Sequence, residues 1–279
     1  MNFISYAKRI SRSGFHAMGF DVVRYRSAKS RERPTVSHQA APPLMVHVLG
    51  AQGVGKSTIC QEILRTSNNG VDLLYGYTRI EPPGRGWILG FDEMPSSFEK
   101  LLELKLKSIS EDKRRTVHAK LRHLYFIYML VTNHVWLTKL SFNRVKLVDS
   151  GLLQHFAPEL LILHRADPGA FSKLVENSII VHCVGDMDTI LSRIDLRKKC
   201  GKVIPSHWGL DKNSLKDHIE IYRSERMHFV EAARQHGVPC LEVDAAENTR
   251  DNAWKAYEFI KSQRNSPQGE RLKNSALGG

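Results

Sequence analysis

The 279-residue sequence is poor in cysteine, and its four cysteines, Cys60, Cys183, Cys200 and Cys240, form no Cys-x-x-Cys pair. That spacing excludes a paired-cysteine zinc site and offers no disulfide framework. Cys183 and Cys240 sit inside apolar runs and read as small buried hydrophobes in a reducing compartment. No apolar run approaches the roughly 20 residues that a membrane-spanning helix needs. The closest, Leu124 to Leu137, is interrupted by Thr132, Asn133 and His134 and reads as a buried helix. The N-terminus lacks an uninterrupted apolar core behind its first charges, so a secretion signal is not expected. An internal repeat is also absent.

What is present is a net charge of +12 that is unevenly spread. Residues 1–33 hold eight Lys/Arg against two acids, and residues 261–279 hold four against one, so the long middle is nearly balanced. A nucleic-acid reader carries its basic residues on the folded face that meets phosphate, which makes nucleic acid an unlikely partner here. Basic ends fit a tail that touches an acidic surface, a membrane or a partner, as well as a tail that stays solvated. Phe3, Ile4, Ala7 and Ile10 fall on one side of a helix with Lys8, Arg9 and Arg12 elsewhere, the pattern of a basic amphipathic anchor. The expected setting is cytoplasmic, with peripheral contact at the inner face of a membrane through this N-terminus.

Three parts are expected: a basic extension and linker at 1–43, a domain at 44–263, and a disordered tail at 264–279. Within the domain, apolar strand patterns at 44–49, 71–77, 144–149, 178–184 and 238–243 alternate with helical periodicity. The helical stretch 97–142 carries an expected break near Ser108–Ser110. Such alternation predicts an α/β fold: a three-layer parallel sheet of about five strands flanked by helices.

Gly50-Ala51-Gln52-Gly53-Val54-Gly55-Lys56-Ser57 matches G-x-x-x-x-G-K-[ST] in full, after an apolar strand and before a helix. The glycines let successive N–H groups turn toward phosphate oxygens, and the helix behind directs its positive end at the same anion. Lys56 is placed for the β- and γ-phosphates and the Ser57 hydroxyl for Mg²⁺, with Thr58 next in line. ATP and Mg²⁺ are thus the expected cofactors. Asp149 closes the strand Val145-Lys146-Leu147-Val148-Asp149 and is the candidate second metal ligand or proton acceptor. A helix N-cap is the plain alternative for an Asp at a strand exit.

On these residues the chain resembles the small-molecule and nucleotide kinases of the phosphate-loop (Walker A) superfamily, the adenylate-kinase-like group, over residues 44–263. The resemblance implies a mobile lid whose arginines close over the transferred phosphate. Arg193 and Arg197, four apart in the basic stretch Arg193 to Lys199, stand in the matching place and share one helix face, with Gly201, Pro205 and Gly209 behind them. A solvated basic helix end explains the same residues. Asp244-Ala245-Ala246 stands where such kinases place the loop beside base or ribose, although a turn Asp needs no ligand. The sequence departs from the group in lacking an Asp-Arg-Tyr or Asp-Arg-His string after the third strand. Its acceptor region offers Tyr77, Arg79, Arg85 and Asp92 in no nameable pattern. Gly151-Leu152-Leu153-Gln154 is similar to a segment of kinase-like proteins from bacterial polysaccharide gene clusters, and Met18 to Arg24 is similar to openings of surface-glycan enzymes.

These residues together predict a phosphotransferase that moves the γ-phosphate of ATP to a small-molecule acceptor: a nucleotide, a sugar or an envelope-polysaccharide precursor. The competing expectation is a nucleotide-dependent regulatory NTPase without such an acceptor. No Asn-Lys-x-Asp string for guanine is present, the nearest being Asp211-Lys212-Asn213-Ser214, and no transporter-type Leu-Ser-Gly-Gly-Gln string occurs.

Overall fold

The computed structural model describes residues 44–67, 73–75, 95–113, 115–141, 145–202 and 209–264, with the two-residue strand 35–36 and His207. Its strands are β1 (Thr35–Val36), β2 (Met45–Gly50), β3 (Leu73–Tyr75), β4 (Leu140–Ser141), β5 (Val145–Asp149), β6 (Ser178–Val184) and β7 (Cys240–Asp244). Its helices are α1 (Lys56–Thr66), α2 (Ser96–Glu111), α3 (Val117–Lys139), α4 (Leu152–His155), α5 (Ala157–Ala166), α6 (Pro168–Val175), α7 (Met187–Lys199), α8 (Lys212–Gln235) and α9 (Thr249–Arg264). The expected amphipathic N-terminus, the linker, Tyr77, Arg79, Arg85, Asp92, Pro205 and the tail beyond Arg264 lie outside the described residues.

The strands β3-β5-β2-β6-β7 form one sheet in that order, with every pairing parallel. β1 and β4 make a separate antiparallel pair, Thr35 opposite Ser141. The central strands are continuous apolar runs because helices cover both faces of the sheet. Val46 and Val48 pack with α1, α7 and α9 residues such as Ile59, Ile194 and Ala256. Leu49 and Ile180 pack on the other face with α2, α3, α5 and α6 residues such as Leu101, Ile127 and Phe171. Helix α8 serves both cores, through Leu215 and Ile219 early on and Phe229 and Val230 further along.

The expected five-strand α/β architecture is therefore the observed one, with one boundary shifted. The break in the long helical stretch falls at 112–116, not near Ser108–Ser110. Buried Leu101, Lys105 and Ile109 keep helical spacing past the two serines, and Asp112 then leaves the helix at φ −68°, ψ 95°. Thr116 starts α3 by accepting from the Ala119 N–H through its hydroxyl, at 3.3 Å.

Parallel pairing places all strand ends on one edge: Val48 lies opposite Asp149, Gly50 opposite Cys183 and Val184 opposite Asp244. Ligands of open parallel sheets bind at that edge.

His47 leaves this pattern. It is fully buried, stacks on His134 with centroids 6.1 Å apart, and neither ring nitrogen has a hydrogen-bond partner. Burial, and then the charge of His134, pushes its pKa from 6.5 to about 3. Burial and Lys146 push His134 to about 4. The unfolded chain protonates these rings near 6.5 while the folded chain does not. The unfolded state therefore binds more protons below that pH, and stability falls as pH drops from 6.5 toward the folded values. His47→Leu is expected to remove up to roughly 2 kcal/mol of the acid destabilisation between about pH 6.5 and about pH 5. Urea unfolding at the two pH values checks this, and an unchanged pH dependence would clear His47 of that role.

Candidate active site

Strand β2 turns into the phosphate loop at Gly50, whose φ of 143° is outside the range of L side chains. A Cβ here would also lie 2.4 Å from the Cys183 carbonyl oxygen of β6, so only glycine lets the loop leave the sheet this closely. Gly55 at φ 110° begins α1, and no side chain caps that helix start. The N–H groups of Lys56 and Ser57 precede the first bond of the helix, Thr58 N–H to the Gly55 carbonyl at 3.0 Å, and a helix start of this kind favours an anion.

Around this turn the side chains converge. Ser57 Oγ donates to Asp149 Oδ2 at 2.6 Å, joining the loop hydroxyl to the carboxylate at the end of the neighbouring strand. Asp149 Oδ1 accepts from the Ser150 hydroxyl at 3.1 Å, and Ser150 takes the left-handed φ of 56° immediately after the acid. Lys56 folds back over the loop and donates to the carbonyls of Gly50 and Ala51, both at 2.9 Å. Its ammonium is buried, which lowers its pKa; Asp149 opposes that shift. The sequence-derived trio of Lys56, Ser57 and Asp149 is thus assembled at one point. Among the described residues no group of three or more His, Cys, Asp or Glu gathers to hold a metal. The hard oxygens of Ser57 and Asp149 nevertheless suit Mg²⁺, which keeps several waters and is completed by substrate phosphates.

Two further residues hold the loop. Gln154, on α4 five residues past Asp149 and buried, pairs its amide with the whole Gly50 peptide: Oε1 accepts from Gly50 N at 3.1 Å, and Nε2 donates to Gly50 O at 2.8 Å. Behind it, Arg226 of α8 donates to the Gln154 carbonyl at 2.6 Å. The Arg226 guanidinium, 1% exposed, lies 3.2 Å from the Tyr222 ring centroid and pairs with Glu225. Sequence reasoning gave neither residue a role. The one available signal is a polar Gln directly after the apolar Leu152 and Leu153.

Arg193 of α7 donates to Val54 O at 2.6 Å and to Ala245 O at 3.2 Å, so it ties the middle of the loop to the turn after β7. Arg197, one helical turn on, is exposed. In that turn the Asp244 carboxylate accepts from Ala246 N at 2.9 Å, the turn geometry allowed for it. A groove of about 540 Å³ opens beside it, lined by Thr58 and Glu62 of α1 and by Ala246–Arg250.

No protein-family model matches the chain, and no curated protein matches it. Solved structures do. Shikimate kinase from Acinetobacter baumannii, in complex with shikimate, is 14% identical with TM-score 0.41, over 80% of this chain and 96% of its own. Deoxyadenosine kinase from M. mycoides with bound dATP is 16% identical with TM-score 0.40, over 80% and 100%. A gluconokinase from Sinorhizobium meliloti is 14% identical with TM-score 0.34, over 80% and 94%. The three matched structures named here are described as kinases; this chain's own five-stranded parallel sheet carries the glycine-rich loop at the end of its central strand.

Gln154→Leu should strand the Gly50 N–H and is expected to cost about 1–3 kcal/mol of stability. Gln154→Glu keeps the acceptor for Gly50 N but loses the donor to Gly50 O. Denaturant unfolding of both variants checks the pairing, and stability equal to the parent in both would show that Gly50 is held elsewhere.

Proposed function

We propose that the chain is an Mg²⁺- and ATP-dependent phosphotransferase that moves the γ-phosphate to a small-molecule acceptor. The observation that carries this reading is the 2.6 Å contact of Ser57 with Asp149, which brings a loop hydroxyl and a strand-end carboxylate to the mouth of the phosphate cradle. On this reading the N–H groups of Gly53, Gly55, Lys56 and Ser57 hold the β- and γ-phosphates. Lys56 exchanges the carbonyls of Gly50 and Ala51 for phosphate oxygens, and Gln154 keeps the Gly50 carbonyl satisfied when it does so. Bound Mg²⁺, held by Ser57 and, through water, by Asp149, would supply positive charge against the triphosphate. Asp149 also stands where it can accept the proton of an attacking hydroxyl. The groove between Thr58 and Ala246–Arg250 is the place for ribose and base. Similarity to kinases of shikimate, gluconate-type and nucleoside substrates agrees with a small acceptor without naming it.

Lys56→Ala is expected to abolish acceptor-dependent ADP release with the fold intact, since it removes the charge meeting the β/γ-phosphates. Asp149→Asn should cut turnover while nucleotide binding stays detectable. A panel of hydroxyl acceptors assayed for ADP release tests the class: equal release with and without every acceptor would return the chain to the regulatory NTPase reading.

The two arginines separate by the same assay. Arg193→Met, which loses its bonds to the Val54 and Ala245 carbonyls, is expected to weaken nucleotide affinity about tenfold, the ~1.5 kcal/mol of one charged hydrogen bond. Arg197→Met is expected to lower kcat with affinity unchanged, because only a closed lid would bring it to the phosphate. An Arg197 variant with the parent kcat would leave that residue on the solvated face.

A further inference from the structure

Helix α4 is a single turn, and the end of that turn lacks an ordinary helical partner. Four residues after Gln154 stands Pro158, which has no N–H to give, so the Gln154 carbonyl needs a donor from elsewhere in the fold. Arg226 of α8 supplies it, with Nη2 at 2.6 Å. The next carbonyl, that of His155, accepts from the Lys105 ammonium of α2 at 2.8 Å. Cations suit carbonyls at a helix end, but both of these are buried. Arg226 sits three residues before Phe229 of the core, and its Nε has no hydrogen-bond partner among the described residues. A buried donor left unpaired weakens a fold, and a packed apolar side chain would serve stability at least as well. The remaining contacts aim the guanidinium at α4: Nη1 donates to the Tyr222 carbonyl at 3.3 Å and to Glu225 at 2.5 Å, with the plane over the Tyr222 ring.

We propose, on the reading of Gly50–Ser57 as a nucleotide cradle, that Arg226 is a positioning residue for phosphate binding: by holding α4 at the Gln154 carbonyl it keeps the Gln154 amide on the Gly50 peptide. The contacts form an unbroken chain. Tyr222 and Glu225 orient the guanidinium, and the guanidinium fixes the backbone of Gln154. Gln154 then meets Gly50 N at 3.1 Å and Gly50 O at 2.8 Å, and the same carbonyl takes Lys56 at 2.9 Å. A side chain reaches only as far as its own backbone allows, so a shift of α4 away from α8 lengthens both amide contacts at once. Arg226 bonds to no residue of the loop and acts on it through Gln154. Its loss is therefore felt at Gly50 and in phosphate affinity, and has no further effect once Gln154 is replaced.

Two measurements on the full chain test this: calorimetric binding of MgADP, and hydrogen exchange of the Gly50 amide without nucleotide. Arg226→Met is expected to weaken MgADP binding about tenfold, the size of one hydrogen bond from a charged group, and to speed Gly50 exchange by a similar factor. Arg226→Lys, which keeps a charged donor, should fall between the Met variant and the parent in both. Phe229→Leu, a buried change in the same helix that removes no hydrogen bond, should lower the melting temperature and leave both readouts at the parent values. In the Gln154→Leu background, Arg226→Met should add nothing to either loss. Additive losses overturn the proposal, and so do equal losses in Phe229→Leu, which would make Arg226 one more core residue. Gly50 exchange at the parent rate in Arg226→Met overturns it too, as does parent affinity for MgADP in that variant. Should Arg226→Met not fold, Arg226→Lys enters the same cycle with the same outcomes. A parent that binds no MgADP would sink the phosphotransfer reading, while Gly50 exchange still decides the role of Arg226.

Discussion

The pairing of the Gln154 amide with the Gly50 peptide is the contact on which the rest of the site is built. Gly50 is the last residue of the central strand and the first of the loop, and it lies so near Cys183 that no side chain fits. Past the end of β5 the Gly50 N–H would be a buried, unpaired donor without Gln154, and the Gly50 carbonyl would be left to Lys56 alone. Gln154 supplies both partners from one side chain, and because Gln154 follows Asp149 by a single short turn, the same clamp fixes the distance between loop and acid. Arg193 then holds the loop from the opposite side at Val54, and Ser57 closes it onto Asp149. The loop is therefore tied to α4, α7 and β5 at once, which fixes its course by contacts of the chain itself.

Such a clamp places unusual charge in the interior. Arg226, which supports Gln154, is 1% exposed, and burial opposes its charge while Tyr222 and Glu225 restore it. Close by on the same face of the sheet, Lys105 is buried against Glu159 at 3.0 Å and also donates to the His155 carbonyl at 2.8 Å. A buried pair of this kind adds little net stability, yet losing one partner leaves a costly lone charge. These residues act by fixing α2, α4, α5 and α8 against one another beneath the loop.

How much of this was legible in the sequence depended on the kind of signal. The Gly50–Ser57 spacing, the apolar strands and the acid closing the third sheet strand are local patterns, and they located Lys56, Ser57 and Asp149 before any coordinates. Gln154 and Arg226 are not local patterns: a glutamine in an apolar turn and an arginine in a charged helix look solvated until the packing of α4 against β2 and of α8 against α4 is known. Arg193 was legible as part of a basic cluster but not as a grip on loop carbonyls, since a guanidinium near a helix end carries no mark of its partner. The later break between α2 and α3 was missed because Ser108 and Ser110 resemble a stop, whereas buried Ile109 between them keeps the helix in the core.

On the proposed reading, the balance of charge around the loop favours an anion. Lys56 is bonded to two carbonyls, buried, and pressed by Arg226 in the direction of losing its proton, with Asp149 pulling the other way. A carbonyl pair is a weak substitute for an anion, because dipoles return only part of the hydration an ammonium gives up. A polyphosphate in the cradle reverses the imbalance: it brings several negative charges to a place where the helix start, Lys56 and Arg226 are all positive. On the proposed reading, a bound anion would take the lysine from the loop carbonyls, and the Gly50 carbonyl has a second donor already in place.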